Sequence, residues 1–285
     1  MGLGRRHMLS LLGASLAAPA LAQSRGKPPP RIDHPRASQF AFGPPGDRCR
    51  ILVGLPDAPP PPQGYSVILS LDGDTTFPHL WHHREARAPG LPVMLVGIGY
   101  QDGNRRWRDL TSRAMAPVTP ILFYRAPPRD RPTGGREAFL SMIAERLLPE
   151  LARRHPLDLR DMTIYGHSLG GLFVLHALFT RTHLFARYVA ADPSVWWNAG
   201  ESQREAAAFA GGVAAAGGTV DPPIQVMIAQ AGRPRQDHPH DPTSLVRILR
   251  TVPGIEVLYR PAPREDHGSL MAPSTGDALD LHLWR

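Results

Sequence analysis

The sequence predicts an α/β fold, in which a mostly parallel sheet carries helices on both faces. Three observations predict it. Short, uniformly apolar runs, as expected of strands buried on both sides, alternate with stretches of helical periodicity. The chain has 285 residues, which is long enough for one large domain with a substantial core. No shift in composition divides residues 38–285, so we expect them to form that domain.

Eight apolar segments are expected to be strands. Residues 39–42 and 49–55 flank a turn of glycine and proline and should lie at the edge of the sheet. The other six segments are 65–71, 93–98, 162–165, 188–191, 224–229 and 255–259. Helical spacing predicts helices over 136–154, 169–180 and 243–249. Pro149 should kink or end the first of these helices.

Residues 1–22 have the three parts of an export signal. The pair Arg5-Arg6 precedes an apolar run over 9–21, and Ala20-Leu21-Ala22 offers a cleavage site. Paired arginines are typical of the twin-arginine route, which exports folded proteins. The run is shorter than the roughly 20 residues of a spanning helix, so no stable membrane anchor is expected. We therefore predict a periplasmic or secreted protein with a proline-rich flexible arm over 23–37.

The charge and cysteine content argue against two further features. The formal net charge is +7, but the basic residues are dispersed and no recognition motif is present, so nucleic-acid binding is not expected. Cys49 is the sole cysteine, so no internal disulfide can form. The composition leaves the oligomeric state open.

The run Gly166-His167-Ser168-Leu169-Gly170-Gly171 predicts a nucleophile. It stands between a predicted strand and a predicted helix, which is the order of a G-x-S-x-G nucleophile elbow. A serine hydroxyl is a weak nucleophile and has to stand on a sharp, exposed turn where an imidazole reaches it. The flanking glycines remove side chains that would collide in that turn. Ser168 is the candidate nucleophile, and an accidental glycine-rich turn is the alternative.

His267 is the candidate general base. On this kind of sheet the histidine follows the serine and the acid in chain order, after the last strand. His267 comes after the predicted strand over 255–259, and Ser269 should begin the last helix. The competing histidines are His176, His183, His238, His240 and His282. The first and last of these fall in helical segments, where packing is the expected role.

Two backbone N–H groups are expected to form an oxyanion hole. One is the amide of Leu169, directly after the nucleophile. The other is assigned to Gly73, in the run Leu71-Asp72-Gly73-Asp74 after an early strand. An ordinary turn is the alternative reading of that run, and the turn and the hole can be the same structure.

Seven segments in order carry a resemblance to one family. They are Leu71-Asp72-Gly73-Asp74, residues 96–100, 108–111 and 133–140, the elbow, residues 192–197, and His267-Gly268-Ser269. Together they resemble the esterase branch of the α/β hydrolases that includes the periplasmic siderophore (enterobactin and salmochelin) esterases and esterase D-like hydrolases. The resemblance runs from about residue 38 to the end. It implies the α/β-hydrolase fold and ester hydrolysis with no metal and no organic cofactor, but not the substrate, since one fold serves many esters.

The acid of the triad departs from the family's pattern. Relatives commonly carry Gly-x-x-Glu after the penultimate strand, whereas residues 229–235 contain no carboxylate. Asp192 directly follows a predicted strand, and an Asp-Pro at that point resembles the displaced acid of some lipases. Asp237 is the second candidate, and Asp241 before a proline is typical of a helix N-cap. A Ser–His dyad without an acid is the third.

Aromatic and basic side chains are expected at the substrate site. By resemblance, the loop that holds Trp107 and Arg108 borders the active site, together with Arg105 and Arg106. Arginine beside an indole suits an anionic, ring-bearing acyl group, which it binds by paired hydrogen bonds and stacking. Trp196 is a candidate for lining the acyl pocket, and ion pairing or packing is the alternative role for each of these side chains.

The sequence thus predicts an exported serine esterase that hydrolyses a small-molecule ester, such as a siderophore or another aromatic ester, through Ser168. An acyltransferase on the same elbow and a non-catalytic binding protein are the alternatives.

Overall fold

The computed structural model describes residues 32–87, 89–115, 130–232 and 241–284, within which eight strands form one sheet. The strands are β1 (Ala37–Phe42), β2 (Cys49–Gly54), β3 (Tyr65–Leu71), β4 (Val93–Tyr100), β5 (Leu157–His167), β6 (Arg187–Ala191), β7 (Ile224–Ala231) and β8 (Ile255–Ala262). Their order is β1-β2-β4-β3-β5-β6-β7-β8. β2 pairs antiparallel with both β1 and β4, whereas the other neighbours are parallel. The predicted α/β fold is confirmed, with β1 at one edge.

Helices cover both faces of the sheet. They are α1 (Gly73–Arg87), α2 (Arg106–Asp109), α3 (Arg136–Met142), α4 (Leu148–Arg154), α5 (Leu169–Thr180), α6 (Glu201–Ala215), α7 (Thr243–Leu249) and α8 (Met271–Leu283). On one face, Leu80 of α1 and Leu279 of α8 share a buried cluster with Ile68 of β3. On the other, α3 and α5 meet where Phe139 packs edge-on against Phe173 in the larger core cluster.

The predicted helix over 136–154 keeps its length but changes type. α3 passes into a π-helical turn over Ile143–Leu147, and α4 begins at the next residue. Pro149 is the second residue of α4 and lacks the N–H that a regular helix would use there, and the wider π turn directly precedes it. The expected break at Pro149 is therefore replaced by a π turn before it.

Several boundaries differ from the sequence pattern. β5 begins at Leu157 rather than at residue 162, and the last helix begins at Met271 rather than at Ser269. The periodicity does not predict α1 or α6.

The predicted export signal over 1–22 lies outside the described residues, as does most of the predicted arm over 23–37. Ile32, near the end of that arm, packs against the cluster that contains Trp81. β1 starts at Ala37, so the fold begins slightly before the expected boundary. In the ranges that the structure describes, no helix is both long enough and apolar enough to cross a bilayer.

Candidate active site

Ser168 occupies a tight turn between β5 and α5. Its backbone has φ 62° and ψ −117°, a left-handed conformation that non-glycine residues rarely adopt and that costs about 1–3 kcal/mol. A Cβ on Gly166 would lie 2.3 Å from the carbonyl of Gly170, so the turn closes only with glycine there. The strand-turn-helix order predicted for the elbow is the one observed, and it lifts the hydroxyl to the carboxyl edge of the sheet.

The structure brings Ser168, His267 and Asp192 together in a chain of two hydrogen bonds. Nε2 of His267 is 3.0 Å from Oγ of Ser168, and Nδ1 of the same ring is 2.5 Å from Oδ2 of Asp192. Because a carboxylate only accepts, Nδ1 carries the proton and Nε2 is left as the acceptor for the serine hydroxyl. This is the arrangement in which an imidazole can remove the serine proton.

Asp192 is held at the end of β6, the strand next to β5. Its backbone N–H donates to the carbonyl of Ala229, and its Oδ1 accepts the N–H of Ala231 at 3.1 Å. Asp241, by contrast, accepts the N–H of Thr243, the first residue of α7, at 2.8 Å and the side-chain amide of Gln230 at 3.0 Å. Asp237 lies outside the described residues.

The competing histidines that the structure describes stand elsewhere. His176 is buried on α5 and contacts Glu137, and His282 bonds to Thr163 and Ser66 beneath the sheet. His183 lies in the turn that follows α5, at the opposite end of that helix from Ser168, while His238 and His240 lie outside the described residues.

His167, the residue before the nucleophile, lies against the imidazole of His267. The two ring centroids are 4.7 Å apart, and His167 is buried with no hydrogen bond to its Nε2 among the described residues. Burial, with the nearby His267, lowers the pKa of His167 to about 4. His167 is therefore neutral near neutral pH and places no positive charge beside His267.

The two proposed oxyanion donors each begin a helix. Leu169 is the first residue of α5 and Gly73 the first of α1, and the N–H groups in a first helical turn have no partner within the helix. A Cβ on Gly73 would lie 2.6 Å from the backbone of Gly97, so only glycine fits there. Asp72 has φ 50°, and Arg106 holds its carboxylate through two hydrogen bonds of 3.1 and 3.0 Å.

A cleft of about 550 Å³ opens over Ser168. Trp107 and Trp196, two of the three predicted substrate-binding residues, line it. Gln230 and Arg106 also line it. The sequence pattern names Arg106 but does not assign it to substrate binding.

Arg108, the third predicted substrate-binding residue, does not line this cleft. Its guanidinium bonds to Asp47 at 3.0 Å and to Asp109 at 2.7 Å, beside a separate cavity of about 400 Å³. Residues two apart on a helix do not share a face, so the position of Arg108 lends no support to its predicted role in substrate binding. Arg106, two residues earlier on α2, is the arginine that reaches the cleft.

Ser194 is a residue near the nucleophile that the sequence pattern does not single out. Its Oγ lies 3.3 Å from Oγ of Ser168. The only signal in the sequence that could have found Ser194 is its place two residues after Asp192, on the same loop.

Among the described residues, no group of three or more histidine, cysteine, aspartate or glutamate side chains is placed to hold a metal ion.

A serine on such an elbow, with an imidazole beside its hydroxyl at the carboxyl edge of a mostly parallel sheet, defines the α/β-hydrolase class. Comparison with known families gives the branch. Residues 44–243 match the family described as "Putative esterase", and the chain belongs to that family.

Several characterised relatives are siderophore esterases by name. The chain is 38% identical over 159 residues to the ferri-bacillibactin esterase BesA of Bacillus subtilis, covering 52% of this chain and 54% of that protein. It is 36% identical over 155 residues to the siderophore triacetylfusarinine C esterase of Aspergillus fumigatus, covering 50% and 49%. The chain thus spans about half the length of the curated relatives it matches.

Solved structures share the fold over more of the chain. The BES protein from Bacillus cereus superposes with a TM-score of 0.73 at 24% identity, covering 90% of this chain and 99% of that one. The siderophore hydrolase EstB from Aspergillus nidulans superposes with a TM-score of 0.68 at 27% identity, covering 88% and 95%.

Proposed function

We propose that the protein is an exported serine esterase that hydrolyses carboxylic esters through an acyl-enzyme on Ser168. One observation carries the proposal: Nε2 of His267 lies 3.0 Å from Oγ of Ser168 while its Nδ1 lies 2.5 Å from Asp192. Family membership and the relatives' names support ester hydrolysis as the reaction.

The reaction has two halves in this geometry. Oγ of Ser168 attacks the ester carbonyl while His267 takes its proton, and Asp192 stabilises the imidazolium that results. The amides of Leu169 and Gly73 stabilise the oxyanion. The tetrahedral intermediate collapses as His267 returns the proton to the departing alcohol. Water then attacks the acyl-enzyme while His267 takes one of its protons, and His267 returns that proton to Oγ of Ser168 as the acid is released. These residues therefore need no metal or organic cofactor.

The cleft favours esters with an aromatic or otherwise flat acyl group. Trp107 and Trp196 offer indole faces, and Arg106 adds a positive charge that Asp72 partly balances. Siderophore lactones satisfy this description, in agreement with the relatives' names, as do feruloyl esters. Comparing turnover of both with short acyl esters would identify the class.

The location follows from the predicted signal over 1–22, with its adjacent arginines, which directs the protein to the periplasm or out of the cell. Expression with and without these residues, followed by fractionation, tests it. Retention of the full chain in the cytoplasm would contradict the export proposal.

The decisive experiment replaces the nucleophile. Ser168→Ala should abolish turnover of a p-nitrophenyl ester and labelling by a fluorophosphonate probe while the melting temperature stays near that of the wild type. Ser168→Gly is a matched variant, because glycine accepts the φ of 62° without strain and should be equally inactive. Unchanged turnover in either variant rejects the esterase proposal, and an unlabelled wild-type protein would favour a non-catalytic binding role.

A further inference from the structure

We propose that Ser194 is a further catalytic residue, whose hydroxyl donates a hydrogen bond to Oγ of Ser168 and stabilises the charge on that oxygen during proton transfer. The inference rests on the proposed function, since it assigns a role within the same reaction.

Ser194 is tied to the nucleophile by its backbone. Its N–H donates to the carbonyl oxygen of Ser168 at 3.0 Å, and its own carbonyl accepts the N–H of Trp197 at 3.0 Å. The residue is only 4% exposed, and its hydroxyl oxygen lies 3.3 Å from Oγ of Ser168. A Cβ on Gly171 would come within 3.0 Å of the Pro193 backbone, so the glycine at the start of α5 allows this loop to approach the elbow.

The direction of the Ser194–Ser168 hydrogen bond follows from counting protons. Asp192 fixes the proton of His267 on Nδ1, so Nε2 can only accept. The single proton of the Ser168 hydroxyl is then committed to Nε2. Oγ of Ser168 has no other proton to give, and the hydrogen bond between the two serines must therefore be donated by Ser194.

The length of this bond suits a catalytic role. At 3.3 Å it is longer than the roughly 2.5–3.0 Å usual for a hydroxyl pair, so it is weak in the resting enzyme. When the proton leaves Ser168, negative charge grows on Oγ, and hydrogen bonds to charged acceptors are shorter and stronger. The interaction is therefore worth more in the transition state than in the ground state, which is the condition for acceleration.

The same charge appears in both halves of the reaction. In acylation Oγ loses its proton as the bond to the acyl carbon forms. In deacylation the bond between the acyl carbon and Oγ breaks, the electron pair returns to Oγ, and the proton comes back from His267. The Ser194 hydroxyl faces Oγ in each case and itself keeps its proton throughout.

The test removes this hydroxyl and leaves the backbone contacts. Ser194→Ala and Ser194→Gly should each lower kcat for a p-nitrophenyl ester by roughly ten- to a hundredfold, the value of one hydrogen bond to a charged group, with KM within about twofold of the wild type. The rate constant for fluorophosphonate labelling should fall in proportion. Ser202→Ala is the matched control, because its hydroxyl is also buried, on α6, but has no hydrogen-bond partner among the described residues.

Ser168→Ala is measured in parallel to separate two kinds of failure. If Ser168→Ala retains turnover, the proposed function fails and the role of Ser194 fails with it. If Ser168→Ala is inactive but either Ser194 variant keeps kcat within about threefold of the wild type, only the role of Ser194 is overturned. A loss in Ser202→Ala as large as that in Ser194→Ala would also overturn it, because the effect would then belong to any buried hydroxyl.

Discussion

Replacing Asp192 with asparagine should leave the fold intact and disable the base. The backbone of Asp192 has φ 40°, a left-handed conformation that asparagine tolerates better than alanine does. Asn has nearly the same size and shape as Asp, so it fits the space between His267 and the end of β7. The substitution therefore isolates the loss of the carboxylate.

The contacts of Asp192 set the size of the effect. Oδ1 accepts the N–H of Ala231 and Oδ2 accepts the Nδ1–H of His267. An asparagine has only one oxygen. If that oxygen keeps the bond to Ala231, the NH₂ group faces Nδ1, which must then accept, and the ring proton moves to Nε2, where it blocks removal of the Ser168 proton.

The reverse orientation of the amide restores the active tautomer at a cost. The NH₂ group then faces the N–H of Ala231, and an unsatisfied donor of this kind costs about 1–3 kcal/mol. Losing the charge that stabilises the imidazolium adds about 1.5–3 kcal/mol. The sum is about 2.5–6 kcal/mol, so we expect kcat/KM to fall by roughly 10²- to 10⁴-fold.

The assay is kcat/KM for a p-nitrophenyl ester near neutral pH, with the melting temperature of each protein measured in parallel. Asp277→Asn is the control, because that carboxylate pairs with Arg260 and does not line the cleft. It should keep the wild-type rate, as should Asp237→Asn. A decrease of less than about fivefold in Asp192→Asn would refute the reasoning, since even the smallest cost above exceeds that.

Three further predictions concern stability and reactivity. Folding lowers the pKa of His167 to about 4, so as pH drops below about 6.5 the unfolded chain takes up a proton at this residue before the folded protein does. The wild type should therefore lose about 2–3 kcal/mol of unfolding free energy between about pH 7 and pH 4.5, a loss that His167→Phe should not show. Urea titrations in which both proteins have the same pH dependence would contradict this. Gly211 lies in open space within α6, so Gly211→Ala should raise the unfolding free energy by about 0.5–1 kcal/mol. Gly254 has φ 84°, and a Cβ there would lie 2.0 Å from the Val220 carbonyl oxygen, so Gly254→Ala should lower the unfolding free energy. An equal effect of the two substitutions would refute this reasoning. Burial raises the pKa of Cys49 to about 11, so its thiol should resist a disulfide reagent at about pH 8 until the protein is unfolded, and prompt labelling of the native protein would be inconsistent with that burial.

The sheet is predictable from sequence because its strands are buried on both faces. Every residue of β3 is buried, so an apolar run suffices to place it. α1 escapes prediction for the opposite reason: it holds Pro78, and its inner face includes Arg84, which is buried by donating to the carbonyls of Gly54 and Val93. A buried arginine with tertiary partners disrupts the apolar period by which helices are found.

α6 is missed because it buries little. Of its residues only Ser202 and Ala206 are buried, and alanine and glycine make up much of its sequence. The helix therefore lacks the wide apolar stripe by which an amphipathic helix is predicted.

The sequence places site residues well where local geometry decides and poorly where side-chain direction does. The elbow is a local motif, so Ser168 and Leu169 follow from it directly. The choice between Arg106 and Arg108 depends on how a four-residue helix is rotated, which no pattern records. Ser194 is brought to the nucleophile by a bond between two loops, Ser194 N–H to the Ser168 carbonyl, that appears only after the sheet forms.

With Asp192 as the acid, the nucleophile and the carboxylate both come from one β5–α5–β6 crossover. The segment after β7 then supplies no acid to the reaction. Insertions, deletions or new charges there can accumulate in descendants of this gene while turnover survives. That segment is accordingly where we expect lineages to diverge when they adapt to a different ester.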